Sequence, residues 1–313
     1  MKERFAVIDL GTNTFHLFIV EIEGDALHIL YKEKIAVKIG KNGISKGLIA
    51  KDAMKRALHT LKVFKTVIDQ FEVLEVRGVA TSAIRSAKNG QDLLDLIKVE
   101  TGITINRISG EEEAELIYYG ARAAVDFGHQ PQLIMDIGGG SVEFIIGDGE
   151  SIYWKQSFEI GAQRLLDKFH QVDPMPEEKA EQLYAWLANE LKPLTDAIVL
   201  HGPVGLTGCS GTFDTLAEIF AQSRGGDRPL EHKTFNLDRK DYLDIHHELI
   251  TKNKAQRLEI PGMVTMRVDM IVVASCLIHF VLDRLNCDTI TCCSYALKEG
   301  ILFHNFKEKV IKG

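Results

Sequence analysis

Cysteine is scarce in this 313-residue chain, and the five present (Cys209, Cys276, Cys287, Cys292 and Cys293) are an odd number with no C-x-x-C spacing. A disulfide framework is therefore unsupported and no zinc signature exists, so the thiols read as buried and reduced. The eleven histidines include no H-E-x-x-H, and the adjacent His246 and His247 point to different sides of any helix that carries them. Long apolar runs are missing as well: the longest, Met270 to Leu282, is broken by Ser275, Cys276 and His279 and is too short to cross a bilayer. The opening MKERFAVID enters a strand pattern directly, without the apolar region and small-residue cleavage site of a secretory signal, so a soluble cytoplasmic protein is expected. A basic surplus is also absent. The net charge of −7 argues against a nucleic-acid binder, although a small anionic substrate held by metal, backbone amides and local basic residues stays open. One local surplus exists, Lys32 to Arg56, with eight Lys/Arg against Glu33 and Asp52, which reads equally as a solvated face or a polyanion track.

What is present centres on Leu133 to Gly147, LIMDIGGGSVEFIIG. Two short, branched apolar runs flank Gly138, Gly139, Gly140 and Ser141, which reads as a β-hairpin with a glycine turn. Backbone N–H groups without neighbouring Cβ atoms can close on an anion, and Asp136 at the strand end can hold a cation beside it. Glycine-rich turns are common and most bind nothing. The observation that favours a site is a second copy: Phe5 to Val20, FAVIDLGTNTFHLFIV, places Asp9 and Gly11 where Asp136 and Gly138 stand. A further strand follows each hairpin, Ala26 to Lys32 and Ile152 to Ser157. The pattern predicts a duplicated α/β domain with two phosphate-sized loops, Gly11, Thr12, Asn13 and Gly138 to Ser141, facing each other across a cleft.

Between and after the hairpins, Ile44 to Gln70 has helical spacing with Ser45 as cap, and Glu75 to Ala80 is a strand that delivers Thr81 to Arg85 to its C-terminal end. Arg85 there can grip a phosphate through its forked guanidinium or simply sit at the surface. Ser109 and Gly110 introduce Glu111, Glu112 and Glu113 at the head of a helix; acids favour a first helical turn, but three exceed what a cap requires, so one is a candidate general base. Asp126 to Gln132 reads as the crossover, Pro176 to Val199 as one long helix disturbed near Pro193, and Arg267 to Leu285 as an apolar helix. A third glycine-rich loop, Thr207, Gly208, Cys209, Ser210, Gly211 and Thr212, opens another helix whose N-terminus favours anions. Ala296 to Lys309 is a final helix expected to return to the first domain, giving domains of 1–125 (completed by 296–313) and 126–295.

Asp9 to Thr14 (DLGTNT), Thr81 to Arg85 (TSAIR), Ser109 to Ala114 (SGEEEA), Asp136 to Glu143 (DIGGGSVE), Gly208 to Thr212 (GCSGT) and Ala296 to Gly300 (ALKEG) together resemble the exopolyphosphatase/guanosine pentaphosphate phosphohydrolase family, nearly end to end. The resemblance implies two ribonuclease-H-like domains of the actin, Hsp70 and sugar-kinase superfold. It implies Glu113 as the base that activates water for attack on a terminal phosphorus, and a Mg²⁺ placed by Asp136 with Asp9 and Glu143. Amides of Gly11 to Asn13, Gly138 to Ser141 and Gly208, Ser210, Gly211 and Thr212 would hold successive phosphates, with Arg85 on the terminal one. The expected substrate is polyphosphate or guanosine pentaphosphate, without nucleic-acid or membrane partners, and with a homodimer as an open oligomeric form. Two other functions fit the same superfold: an actin-like ATPase or small-molecule kinase, and a silent sensor of polyphosphate or guanosine phosphates.

Overall fold

The computed structural model describes residues 3–23, 26–41, 43–226 and 232–305. Two compact units account for the chain, Met1–Gly120 with Leu297–Gly313, and Ala121–Ala296.

The first unit carries strands β1 (Glu3–Leu10), β2 (Phe15–Glu23), β3 (Ala26–Ile35), β4 (Glu75–Ala80) and β5 (Ile105–Arg107) in the order β3-β2-β1-β4-β5. The first three run antiparallel, and β4 and β5 are parallel to β1. Helices α1 (Lys51–Gln70), α2 (Ser82–Ser86), α3 (Gly90–Thr101) and α4 (Gly110–Arg122) connect and cover them, α4 crossing the boundary between units. Helix α1 buries Ala53, Ala57, Leu61, Phe64 and Ile68, a stripe at three- and four-residue spacing that meets Ala6, Ile8, Leu10 and Leu17 of the sheet. Removing each large side chain in that stripe from water contributes about 1.5–3 kcal/mol.

The second unit carries β6 (Gln132–Ile137), β7 (Val142–Gly147), β8 (Ile152–Phe158), β9 (Leu206–Cys209), β10 (Thr234–Asp238) and β11 (Thr289–Cys293). Their order is β8-β7-β6-β9-β11-β10, with β9 parallel to both β6 and β11. Apart from the antiparallel edge strand β10, this repeats the first sheet strand for strand. The repetition extends to detail: the second and third strands of each unit slip register ten residues beyond the aspartate, at Ile19/Val20 and at Ile146/Gly147. Helices α5 (Ala162–Phe169), α6 (Glu177–Glu190), α7 (Lys192–His201), α8 (Ser210–Ser223), α9 (Arg239–Thr251), α10 (Lys254–Leu258) and α11 (Ile271–Leu282) complete this unit. Helix α11 is apolar on nearly every side and is buried in the core at every residue except His279, as such a helix must be. A last helix, α12 (Leu297–Asn305), belongs to the first unit, where Gly300 lies so close to α4 that an added Cβ would sit 1.7 Å from the Leu116 carbonyl oxygen.

Four element boundaries differ from the sequence expectation. Gly47, at φ 66°, stops a short 3₁₀ turn at Ile44–Lys46, so α1 begins only at Lys51 and Ser45 does not cap it. The predicted helix over Pro176 to Val199 is two helices that meet at Leu191, because Pro193 is tolerated in a first turn but not in a helix interior. Arg267 ends a separate 3₁₀ turn, Thr265–Arg267, rather than opening α11. Gly208 lies inside β9, paired with both Met135 and Cys292, so the third glycine loop is shorter than predicted. The end of the final predicted helix, beyond residue 305, falls outside the described residues. All five cysteines are buried free thiols, and no helix among the described residues is long and apolar enough to cross a membrane.

Candidate phosphate-binding site

The two aspartate hairpins close with the same turn. In the first unit the Gly11 N–H donates to the Thr14 carbonyl at 3.1 Å, and in the second the Gly138 N–H donates to the Ser141 carbonyl at 3.0 Å. A Cβ on either glycine would stand 2.9 Å from that carbonyl oxygen, which is why both turns carry glycine two residues after the aspartate. The residue seven places after each aspartate pairs with it across the hairpin: His16 with Asp9, and Glu143 with Asp136.

The second turn is fixed from behind. The N–H groups of Gly161, Ala162 and Gln163, leading into α5, donate to the carbonyls of Gly140, Gly138 and Gly139 at 3.1, 2.9 and 2.9 Å. The Arg164 Nε adds a bond to the Gly140 carbonyl at 2.9 Å. With three carbonyls tied backward, the N–H groups of Gly139, Gly140 and Ser141 are left without acceptors among the described residues. A run of successive amides left in this way is the raw material of an anion-binding nest. The first turn is fixed similarly, by Gly40 and Lys38 donating to the Thr12 and Asn13 carbonyls at 3.1 and 2.8 Å.

Beside the second nest, Asp136 and Glu143 are 5% and 1% exposed, and the Ser157 hydroxyl donates to Glu143 Oε1 at 2.7 Å. Direct cross-strand partners have Cβ atoms about 4.5–5.5 Å apart, and like charges so placed are destabilising unless a cation intervenes. Their oxygen donors fit a hard divalent ion such as Mg²⁺, which takes one or two carboxylates and keeps several waters. No cluster of three or more Asp, Glu, His or Cys suited to a metal occurs among the described residues, and Asp9 belongs to the other unit. Cys209 also pairs with Asp136, from β9; a hydrogen bond with Cys293, then burial, pushes its thiol far above the ordinary range, so it is a packing residue and no nucleophile.

Ser210, Gly211 and Thr212 form the first turn of α8, with Ser210 held in the left-handed region at φ 69°. The Arg267 guanidinium packs over Gly211, where a Cβ would lie 2.2 Å from Nη2. Burial works against its charge while Asp214 and Asp136 support it. Sequence reasoning missed this arginine by assigning it to an apolar helix, whereas the structure ends a separate 3₁₀ turn at Arg267 and begins α11 only at Ile271. Gly208 contributes no loop amide and instead makes room for the Phe213 ring, which a Cβ would meet at 2.1 Å.

In the first unit, Arg85 of α2 and Glu113 of α4 are joined by a 2.6 Å bond from Nη1 to Oε2. The three consecutive acids are thereby sorted. Glu111 and Glu112 are exposed at the helix start, where the Glu112 N–H is capped by the Ser109 hydroxyl at 3.1 Å, whereas Glu113 is buried at 6% exposure. A guanidinium at this distance favours the ionised carboxylate, the form that accepts a proton.

The repeated five-strand order and paired aspartate turns define a two-domain α/β protein of the actin-like class. Within that class the chain belongs to the Ppx/GppA phosphatase family, whose profile matches residues 18–309. It is 46% identical to an exopolyphosphatase from Cytophaga hutchinsonii, over 98% of each chain and with a TM-score of 0.95. An Aquifex aeolicus member of the Ppx/GppA family shares the fold at 24% identity, a TM-score of 0.83 and 99% coverage of each chain. A curated relative, the bifunctional 3-dehydroquinate synthase/phosphatase of Fusobacterium nucleatum, is 31% identical over 296 residues, which is 91% of this chain; the chain spans 44% of that relative's length.

Proposed function

We propose that the protein releases terminal orthophosphate from inorganic polyphosphate, and that it acts in the cytoplasm. The observation that carries this reading is the run of amides at Gly139, Gly140 and Ser141 with no acceptor among the described residues, set beside the buried Asp136 and Glu143 pair. Phosphoryl transfer asks a protein for positioning and charge neutralisation more than for covalent chemistry, and this arrangement offers both. Likeness to the Cytophaga hutchinsonii exopolyphosphatase favours the polymer as substrate.

In the proposed reaction the nest and the α8 N-terminus take phosphate oxygens, with Arg267 adding charge. Glu113 accepts a proton from water as the water oxygen bonds to the terminal phosphorus. The bridging P–O bond on the far side breaks, and its electron pair leaves with the shortened polyphosphate. Arg85 holds Glu113 and stands ready to bind the terminal phosphate. A Mg²⁺ held by Asp136 and Glu143 would neutralise phosphate oxygens. Guanosine pentaphosphate presents the same terminal group and is proposed as a second substrate.

The test is orthophosphate release by purified protein, with Mg²⁺, from polyphosphate, guanosine pentaphosphate and ATP in parallel. Release from polyphosphate that is abolished by Glu113→Gln supports the reading. Binding without release makes the protein a sensor, and release confined to ATP makes it an actin-like ATPase.

A further inference from the structure

We propose that Arg164 is a positioning residue for phosphate binding, holding the 138–141 turn in the conformation that leaves its successive amides to an anion. This rests on the reading that the turn binds phosphate.

Three consecutive glycines have wide conformational freedom, and an amide nest works only when successive peptide planes are set in advance. The turn's own closing bond, from the Gly138 N–H to the Ser141 carbonyl, leaves the planes between them unfixed. The first turn of α5 fixes them, at a distance so short that a Cβ on Gly161 would lie 2.4 Å from the Gly140 carbonyl carbon. Arg164 completes the attachment at two points. Its Nε donates to the Gly140 carbonyl at 2.9 Å, and its Nη2 donates to Glu159 Oε2 at 2.8 Å. Anchored through Nη2, the guanidinium plane holds its Nε–H on the loop carbonyl. A lysine has one donor group on a flexible stem and cannot hold both ends.

The first unit meets the same need with unrelated residues. There Lys38 and Gly40 bind the turn carbonyls, and Arg56 holds that segment by donating from Nε to the Val37 carbonyl at 2.9 Å and from Nη2 to the Lys38 carbonyl at 3.2 Å. Arg56 reaches its turn through an intervening segment, whereas Arg164 touches its turn directly. An arginine-secured support thus recurs at both turns on segments without sequence likeness, α1 in one case and α5 in the other.

The experiment compares wild type, Arg164→Lys and Arg164→Ala. Tripolyphosphate affinity is measured by calorimetry in EDTA, turnover on polyphosphate with Mg²⁺, and ¹⁵N relaxation of the Gly139 to Ser141 amides without ligand. In both variants the dissociation constant rises about tenfold, as expected for loss of a charge-assisted bond and its preorganisation. Saturated turnover changes by less than about threefold, and the three amides become more mobile. Wild-type affinity and amide mobility in the lysine variant overturn the brace, since a plain positive charge then suffices. If wild type binds tripolyphosphate and neither variant differs from it, the brace alone is overturned. If wild type binds none in EDTA and the Glu113→Gln protein binds none with Mg²⁺ either, the phosphate reading itself falls.

Discussion

Asp136 and Glu143 are direct register partners on β6 and β7, two buried carboxylates presented on one face of the sheet. Removing such groups from water and setting them together is unfavourable for the protein alone. The hydroxyl of Ser157 and the nearby guanidinium of Arg267 relieve part of that cost. A bound divalent cation would relieve more, and so would couple metal binding to stability.

Mg²⁺ is therefore expected to raise the thermal midpoint of the wild-type protein. At one hundred times its dissociation constant the stabilisation is about 2.7 kcal/mol, a shift of several degrees for a unit of this size. Asp136→Asn loses most of that shift and requires more Mg²⁺ for turnover. Equal Mg²⁺-induced shifts in the two proteins, read by scanning calorimetry, contradict the assignment.

Glu113→Gln keeps the shape of the side chain and removes its basicity. Turnover on polyphosphate falls by about 10²- to 10⁴-fold while tripolyphosphate affinity stays within severalfold of wild type. Arg85→Ala leaves the buried carboxylate without its partner and weakens both turnover and binding. Near-normal orthophosphate release by Glu113→Gln rejects the base.

His246 is pushed down to about 4 by burial, reinforced by His279 and His247, and its Nδ1 lies 2.7 Å from the Ser275 hydroxyl. The folded state thus holds it neutral where the unfolded chain, titrating near 6.5, binds a proton. Stability attributable to this residue is complete above about pH 6.5 and is lost as pH falls toward 4, on the order of 3 kcal/mol. His246→Asn flattens that part of the profile. Urea melts at pH 7 and pH 4.5 for both proteins check it, and parallel profiles exclude the residue as the cause.

Gly300→Ala places a methyl group on the Leu116 carbonyl oxygen and forces α12 away from α4. Overpacking of this kind costs about 1–3 kcal/mol. An unchanged thermal midpoint would show that the two helices separate freely.

Much of the fold was legible because each hairpin combines two local signals, strand-type apolar runs and an Asp-x-Gly turn. Their recurrence at Asp9 and Asp136 implied duplication without any knowledge of contacts. Glu113 and Arg85 were legible as candidates from their places at a helix start and a strand end. Their 2.6 Å ion pair was not, because residues 28 positions apart meet only through the packing of α2 and α4. Arg164 and Arg267 were hidden for a related reason: each acts on backbone supplied by a distant segment, which periodicity does not encode. The errors at Ser45, Pro193 and Gly208 share a cause. Helical or loop-like spacing continued past a residue whose backbone requirement, a left-handed glycine, a proline first turn or a strand beneath an aromatic ring, set the boundary instead.

The paired turns are alike in backbone and unlike in what answers their aspartate: an imidazole at position 16, a second acid at position 143. Sibling halves have thus parted company in ionic character. One sets an imidazole in register with its acid, where the ring meets the Thr14 hydroxyl at 3.1 Å, and the other doubles the acidic groups on its strand pair, so exchanging the two hairpins would change the charge that stands beside each turn.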